Sequence, residues 1–131
     1  MVKFGYTILY VENVEKAITF YENAFGFSRK FVTPENDYGE LLTGETTISF
    51  ASKKLAVQNL KEGFIESDLN NKPFAFELGF ITDNVPELVQ KAISFGAVLE
   101  TSPKEKPWGQ VVAYVRDLDG FLLEICTPVE M

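Results

Sequence analysis

The chain has 131 residues, of which 46% are hydrophobic and 24% charged; that is enough for one packed domain, or two half-size units, and excludes a disordered tail. Its formal net charge of −7 argues against a phosphate-backbone partner, and its lack of any histidine excludes Ser-His-Asp and Cys-His catalysis, His-ligated zinc and the two-His-one-carboxylate iron site. No apolar run approaches the roughly 20 residues of a membrane span, Cys126 alone cannot form an intrachain disulfide, and strand-like sequence begins at Met1-Val2-Lys3-Phe4 with no signal-peptide pattern, so a cytoplasmic protein without membrane partners is expected.

In chain order, Tyr6–Val11 reads as a strand. Asn13 is a good helix N-cap, and Val14, Ala17, Ile18, Tyr21 and Phe25 then recur at helical spacing up to Gly26, which suits a left-handed helix end. Strands are predicted near Ser28–Val32, Tyr38–Leu42 and Thr46–Ser52. A polar connector, 53–73, carries one apolar stretch at Leu55-Ala56-Val57, where a helical turn has no fixed place. A second strand-like run, Glu77–Thr82, is followed by the cap Asn84. Val85, Leu88, Val89, Ala92 and Ile93 again follow helical spacing, with Pro86 in the first turn and Gly96 past the end. Strands near Val98–Thr101, Gln110–Val115 and Phe121–Cys126 complete the chain, the last two joined by the turn sequence Asp117-Leu118-Asp119-Gly120.

The two halves repeat one another. Asn13-Val14 matches Asn84-Val85 at an offset of 71; Gly26 matches Gly96, and Tyr38-Gly39 matches Trp108-Gly109, at 70. The plan is βαβββ twice, an α+β arrangement with mixed sheets and outer helices: unit one about 1–52, the connector, and unit two about 74–131. Strand alternation puts Leu78 and Phe80 toward the helices, leaving Glu77, Gly79 and Ile81 on the other face; Tyr6, Ile8 and Tyr10 likewise share a face, with Thr7, Leu9 and Val11 behind. A carboxylate at Glu77 is costly there unless it is solvated, paired with Lys72 or Arg116, or ligand-bound.

Two βαβββ units in a chain of this length resemble the vicinal-oxygen-chelate superfamily, which includes glyoxalase I, the bleomycin-resistance proteins and the extradiol dioxygenases. The residues that carry the resemblance are Val11-Glu12-Asn13-Val14 with Phe20-Tyr21 and Phe25-Gly26-Phe27, and Pro107-Trp108-Gly109-Gln110 with Arg116-Asp117, Asp119-Gly120 and Glu124. The resemblance implies an open, curved sheet arrangement around a cleft. It also implies four ligand positions, from the first and fourth strands of each unit: Tyr6, Ser49 or Ile48, Glu77 and Glu124. Only Glu124 matches the family's usual His or Gln, Glu, His, Glu pattern, and Glu77 stands where His is typical.

On that footing, Glu77 and Glu124 can hold a divalent cation, share a proton with one pKa raised, or clamp a cationic group. Trp108 either caps the core or forms an aromatic wall. Tyr6, Phe50 and Tyr114 are placed near the cleft, and Cys126 reads as an inert buried thiol. The acidity serves solubility or a cationic ligand. The first functional expectation is a metal-free binding module like the bleomycin-resistance branch, a homodimer that sequesters an aromatic or cationic small molecule through Tyr6, Ser49, Phe50, Glu77, Trp108, Tyr114 and Glu124. The alternative is a glyoxalase-like lyase or isomerase using a weakly held divalent metal on Glu77 and Glu124, with Tyr6 or Ser49 as a further ligand. A ligand-free accessory dimer is the third.

Overall fold

Asn13 and Asn84 each end a strand and start a helix. Both have extended backbone, with φ of −140° and −134°, and their side chains accept from the amides of Lys16 and Glu87, satisfying a donor that the first helical turn leaves orphaned. A computed structural model describes residues 1–129; residues 130 and 131, counted above in unit two, lie outside the described residues.

Unit one spans Met1–Glu66. Strand β1 (Thr7–Val11) leads through Asn13 into helix α1 (Val14–Phe25), which ends at Gly26 in the left-handed region with φ 74°. The chain then forms β2 (Ser28–Val32), β3 (Tyr38–Leu42) and β4 (Thr47–Ser52). Strand β4 lies parallel to β1 and antiparallel to β3, giving the order β1-β4-β3-β2. Helix α1 covers one face, where Leu9, Val11, Val14, Ile18, Tyr21, Leu41 and Phe50 are fully buried. The apolar stretch of the connector becomes helix α2 (Lys53–Asn59), capped by Ser52, whose hydroxyl accepts from the Leu55 amide.

Unit two, Ser67–Met131 by its contacts, repeats the arrangement within the described residues. It contains β5 (Leu78–Ile81), α3 (Val85–Ser94), β6 (Val98–Glu105), β7 (Val111–Arg116) and β8 (Leu122–Cys126), in the order β5-β8-β7-β6. The expected α+β plan is thus present as two four-stranded mixed sheets, one per unit. Strand β6 runs past the Thr101 limit expected from sequence. It pairs with β7 through two register shifts as far as Glu105, and as an edge strand it tolerates Pro103, which has no amide to donate.

Three expectations need correction. Phe50 is not at an open face. It has no exposed surface and its ring lies 5.3 Å from Tyr21, because alternation along β4 turns Phe50, like Ile48, toward α1 and turns Ser49 the other way. Arg116 does not reach Glu77. It is buried, donates from Nε to the Gly120 carbonyl and from Nη2 to the Asp68 carbonyl, both at 2.9 Å, and so ties the end of the connector to the β7–β8 turn. Ser67 adds a hydrogen bond of 2.8 Å to the Asp119 carbonyl, so the residues from Ser67 onward belong with unit two. That turn needs Gly120, with φ 86°, since a Cβ there would stand 2.6 Å from the Asp68 backbone. The connector expected at 53–73 is therefore divided: its helix lies with unit one and its end with unit two.

Close helix–sheet packing in unit one predicts a sharp contrast between two glycines. A Cβ on Gly39 would lie 2.5 Å from Ile18 Cδ1 and 3.0 Å from the Phe31 carbonyl, whereas one on Gly79 would meet only Glu124 Oε2, at 3.8 Å. Gly39→Ala is expected to lower stability by about 1–3 kcal/mol and Gly79→Ala by much less, read as shifts of the urea midpoint at constant slope.

Candidate functional site

The parallel pairing of β5 with β8 sets Gly79 opposite Glu124, and the antiparallel pairing of β7 with β8 sets Tyr114 opposite Glu124 from the other side. The Tyr114 hydroxyl donates to Glu124 Oε1 at 3.0 Å. Gly79 carries no side chain, so the space above it is left to Glu124 Oε2. Glu77 stands one residue before β5, and its carboxyl lies beside that of Glu124. Glu77 is exposed, yet the little desolvation it has, then the charge of Glu124 and a hydrogen bond to it, push its pKa above its ordinary value. Burial first, then the hydrogen bond to Glu124, pushes the Tyr114 phenol up to about 12, so Tyr114 acts as a fixed donor. Cys126, two residues along β8 and 4% exposed, is pushed up to about 11 by burial and then by Glu124, and its thiol stays protonated.

Unit one has the same register with different residues. Ile8 of β1 lies opposite Ser49 of β4, as Gly79 lies opposite Glu124, so the position left open above between Ser49 and Ile48 falls on Ser49. Tyr6 precedes β1 as Glu77 precedes β5 and is half exposed. Ser49 has no exposed surface, and its Oγ has no hydrogen-bond partner among the described residues. Opposite it on β3 stands Glu40, where unit two has Tyr114. The Tyr38 hydroxyl donates to Glu40 Oε2 at 2.7 Å, and Lys30 Nζ lies 3.5 Å from Oε1. Glu40 was missed in reading the sequence. The usable signal was alternation: Tyr38 and Glu40 share a face of one predicted strand.

Trp108 does not cap the core. It stands in the turn between β6 and β7 at 64% exposure, donates its indole N–H to Gln110 Oε1 at 2.8 Å, and lines a cavity of about 310 Å³ with Asp83, Gln110, Thr127 and Pro128. The structure therefore brings Glu77, Glu124 and Tyr114 together in unit two and Tyr6 and Ser49 to one face of unit one. Phe50 belongs to neither group, and Trp108 lines its own cavity.

The superfamily's metal has a poor match in these residues. Among the described residues no three Cys, Asp or Glu side chains form a group that could hold an ion. In unit two the donors are two carboxylates, one with raised proton affinity, and a phenol that is itself donating. This set has no nitrogen donor, its one neighbouring sulfur is the Cys126 thiol, which stays protonated, and it lacks the near-octahedral oxygen shell magnesium requires, so no step through a metal is derived for it.

Two solution properties follow. Because the folded chain holds a proton on Glu77 more tightly than the unfolded chain does, this group's contribution to stability is present at acid pH and is lost as pH rises through the carboxylate range. Since Glu77 is exposed and its interaction with Glu124 is screened by solvent, Glu77→Gln should raise the thermal midpoint only slightly, by about 1 °C or less near pH 7, with the gain vanishing toward roughly pH 4. Cys126 should resist iodoacetamide at pH 8 in the folded protein and react once denatured, as read by intact mass.

Residues 4–130 match the family model of the glyoxalase-like domain. Among solved structures, a glyoxalase-related enzyme from Fulvimarina pelagi superposes with a TM-score of 0.82 at 18% identity, covering 98% of this chain and 89% of that one. A glyoxalase/bleomycin resistance protein/dioxygenase family enzyme from Burkholderia phytofirmans PsJN gives 0.81 at 23% identity, covering 98% and 100%. The hypothetical protein SA1046 from S. aureus gives 0.80 at 23% identity, covering 98% and 95%. No curated protein matches the chain by sequence. The family model spans nearly the whole chain and the tandem βαβββ plan agrees with it, so this protein belongs to the glyoxalase-like family of the vicinal-oxygen-chelate superfamily.

Proposed function

We propose that this protein is a metal-independent small-molecule binding module, which takes a cationic or aromatic ligand against the Glu77–Glu124 pair and works as a homodimer. The observation that carries this reading is the pair itself: two carboxyls side by side, with Glu77 shifted toward its protonated form and Tyr114 holding one oxygen of Glu124. Like charges so placed are relieved by a proton or by a bound cation, and a cation makes charge-assisted hydrogen bonds to both. The absence of histidine and the net charge of −7 favour a cation over a metal–thiolate or metal–imidazole site. Ile81 at 70%, Tyr6 at 51% and Ile8 at 40% exposure offer apolar surface for a second copy or for a ligand's apolar part.

Native mass spectrometry with Zn²⁺, Ni²⁺, Mn²⁺ and Mg²⁺, followed by titration of Trp108 fluorescence with a panel of aromatic amines, tests this reading. The expected outcome is a dimer without stoichiometric metal that binds at least one amine, with affinity reduced about 10- to 100-fold by Glu124→Gln. One tightly held metal per chain, lost on Glu124→Gln, would replace it with the glyoxalase-like lyase or isomerase.

A further inference from the structure

Unit one carries a second polar cluster to which the reading above assigns nothing. Glu40 is only 13% exposed at its side chain, and its two oxygens are held unequally. Oε2 receives the Tyr38 hydroxyl at 2.7 Å, a short hydrogen bond between part-buried groups. Oε1 faces Lys30 Nζ at 3.5 Å, longer than a good charge-assisted hydrogen bond, and the Lys30 side chain is 54% exposed. One oxygen of an enclosed carboxylate is thus held by a loose cation that another cation can replace.

Beside it lies Ser49, with no exposed surface and no completed hydrogen bond among the described residues. The Tyr38 phenol approaches the Ser49 hydroxyl without closing a hydrogen bond to it. A buried hydroxyl left unpaired is costly, and such a group in a native fold calls for an explanation. Here the vacant acceptor sits next to a donor committed to Glu40.

We propose that Glu40, Tyr38 and Ser49 form a binding point for a primary ammonium group bearing an apolar substituent. The ammonium takes the place of Lys30 at Glu40, and Tyr38 passes its hydroxyl donation from Glu40 to Ser49. The exchange releases the exposed Lys30 ammonium to water, while both Glu40 oxygens become free for the ligand ammonium and the Ser49 hydroxyl gains the partner it lacks. Tyr6, half exposed and within electrostatic range of Tyr38, supplies an aromatic face for the substituent. The site extends the ligand-binding reading to the other sheet, yet it is read out by different residues and stands or falls separately.

The test is a titration of the ¹⁵N-labelled full-length protein with benzylammonium chloride, with benzyl alcohol as the neutral isostere. Saturable shifts are expected at the amides of Tyr38, Glu40 and Ser49 with benzylammonium and not with benzyl alcohol. Lys30→Met, which removes the competing cation, should tighten binding there about two- to fivefold. Glu40→Gln should weaken it about tenfold or more. Ser49→Ala should weaken binding about two- to tenfold while leaving the thermal midpoint at or above that of the parent, since the unpaired hydroxyl is gone. Equal shifts with benzyl alcohol, no saturable shift at these amides, or no tightening with Lys30→Met would each overturn the proposal. If Glu40→Gln fails to fold, the Lys30 and Ser49 variants decide it. Shifts at Glu77, Tyr114 and Glu124 report the carboxylate pair independently.

Discussion

The open face of each sheet depends on the parallel pairing of its first strand with its last. That pairing requires a crossover, and the helix that makes it covers the other side of the sheet with the core. Once the helix side is packed with Leu9, Val11, Leu41 and Phe50, or with Leu123 and Ile125, the register has no freedom to slip, because one step would exchange core and open face. Ser49 and Glu124 are placed by this constraint, as are Tyr6 and Glu77 just ahead of the first strands.

Much of this was legible in the chain. The caps Asn13 and Asn84, the helical spacing behind them and the matching offsets gave both units and nearly every strand to within a residue or two. These signals are local, and local physics sets them. The alternation of Tyr6, Ile8 and Tyr10 against Leu9 and Val11 was also correct, with the second pair buried. What sequence could not supply was cross-strand partnership. An aromatic such as Phe50 suits a core as well as a cleft, and only its contact with Tyr21 distinguishes them. By charge alone Arg116 suits Glu77, but its partners are two carbonyls, which no side-chain pattern announces. Glu40 went unnoticed because its meaning comes from Ser49, on a different strand.

The two sheets show what becomes of a repeated scaffold when its halves diverge. Each keeps a tyrosine–carboxylate hydrogen bond on its open face, but the carboxylate stands on β8 in one unit and on β3 in the other. Moving the acid by one strand keeps the charge and changes its neighbours. In unit two it meets Glu77, whose pKa its charge helps to raise. In unit one it meets an uncharged hydroxyl, and its second oxygen turns to Lys30. The same fold thus offers two electrostatic settings, and the superfamily's chemistry cannot be read from the backbone alone.

The Arg116 clamp has a consequence for how the chain is divided. The repeat visible in the sequence begins at the strand before Asn84, but the β7–β8 turn is completed by the Asp68 carbonyl, which accepts from Arg116, and by the Ser67 hydroxyl, which donates to the Asp119 carbonyl. The duplicated segment and the cooperative folding segment therefore have different borders. A recombination joint placed at the repeat boundary would leave a buried guanidinium short of an acceptor, whereas one between Glu66 and Ser67 would carry the complete turn with it.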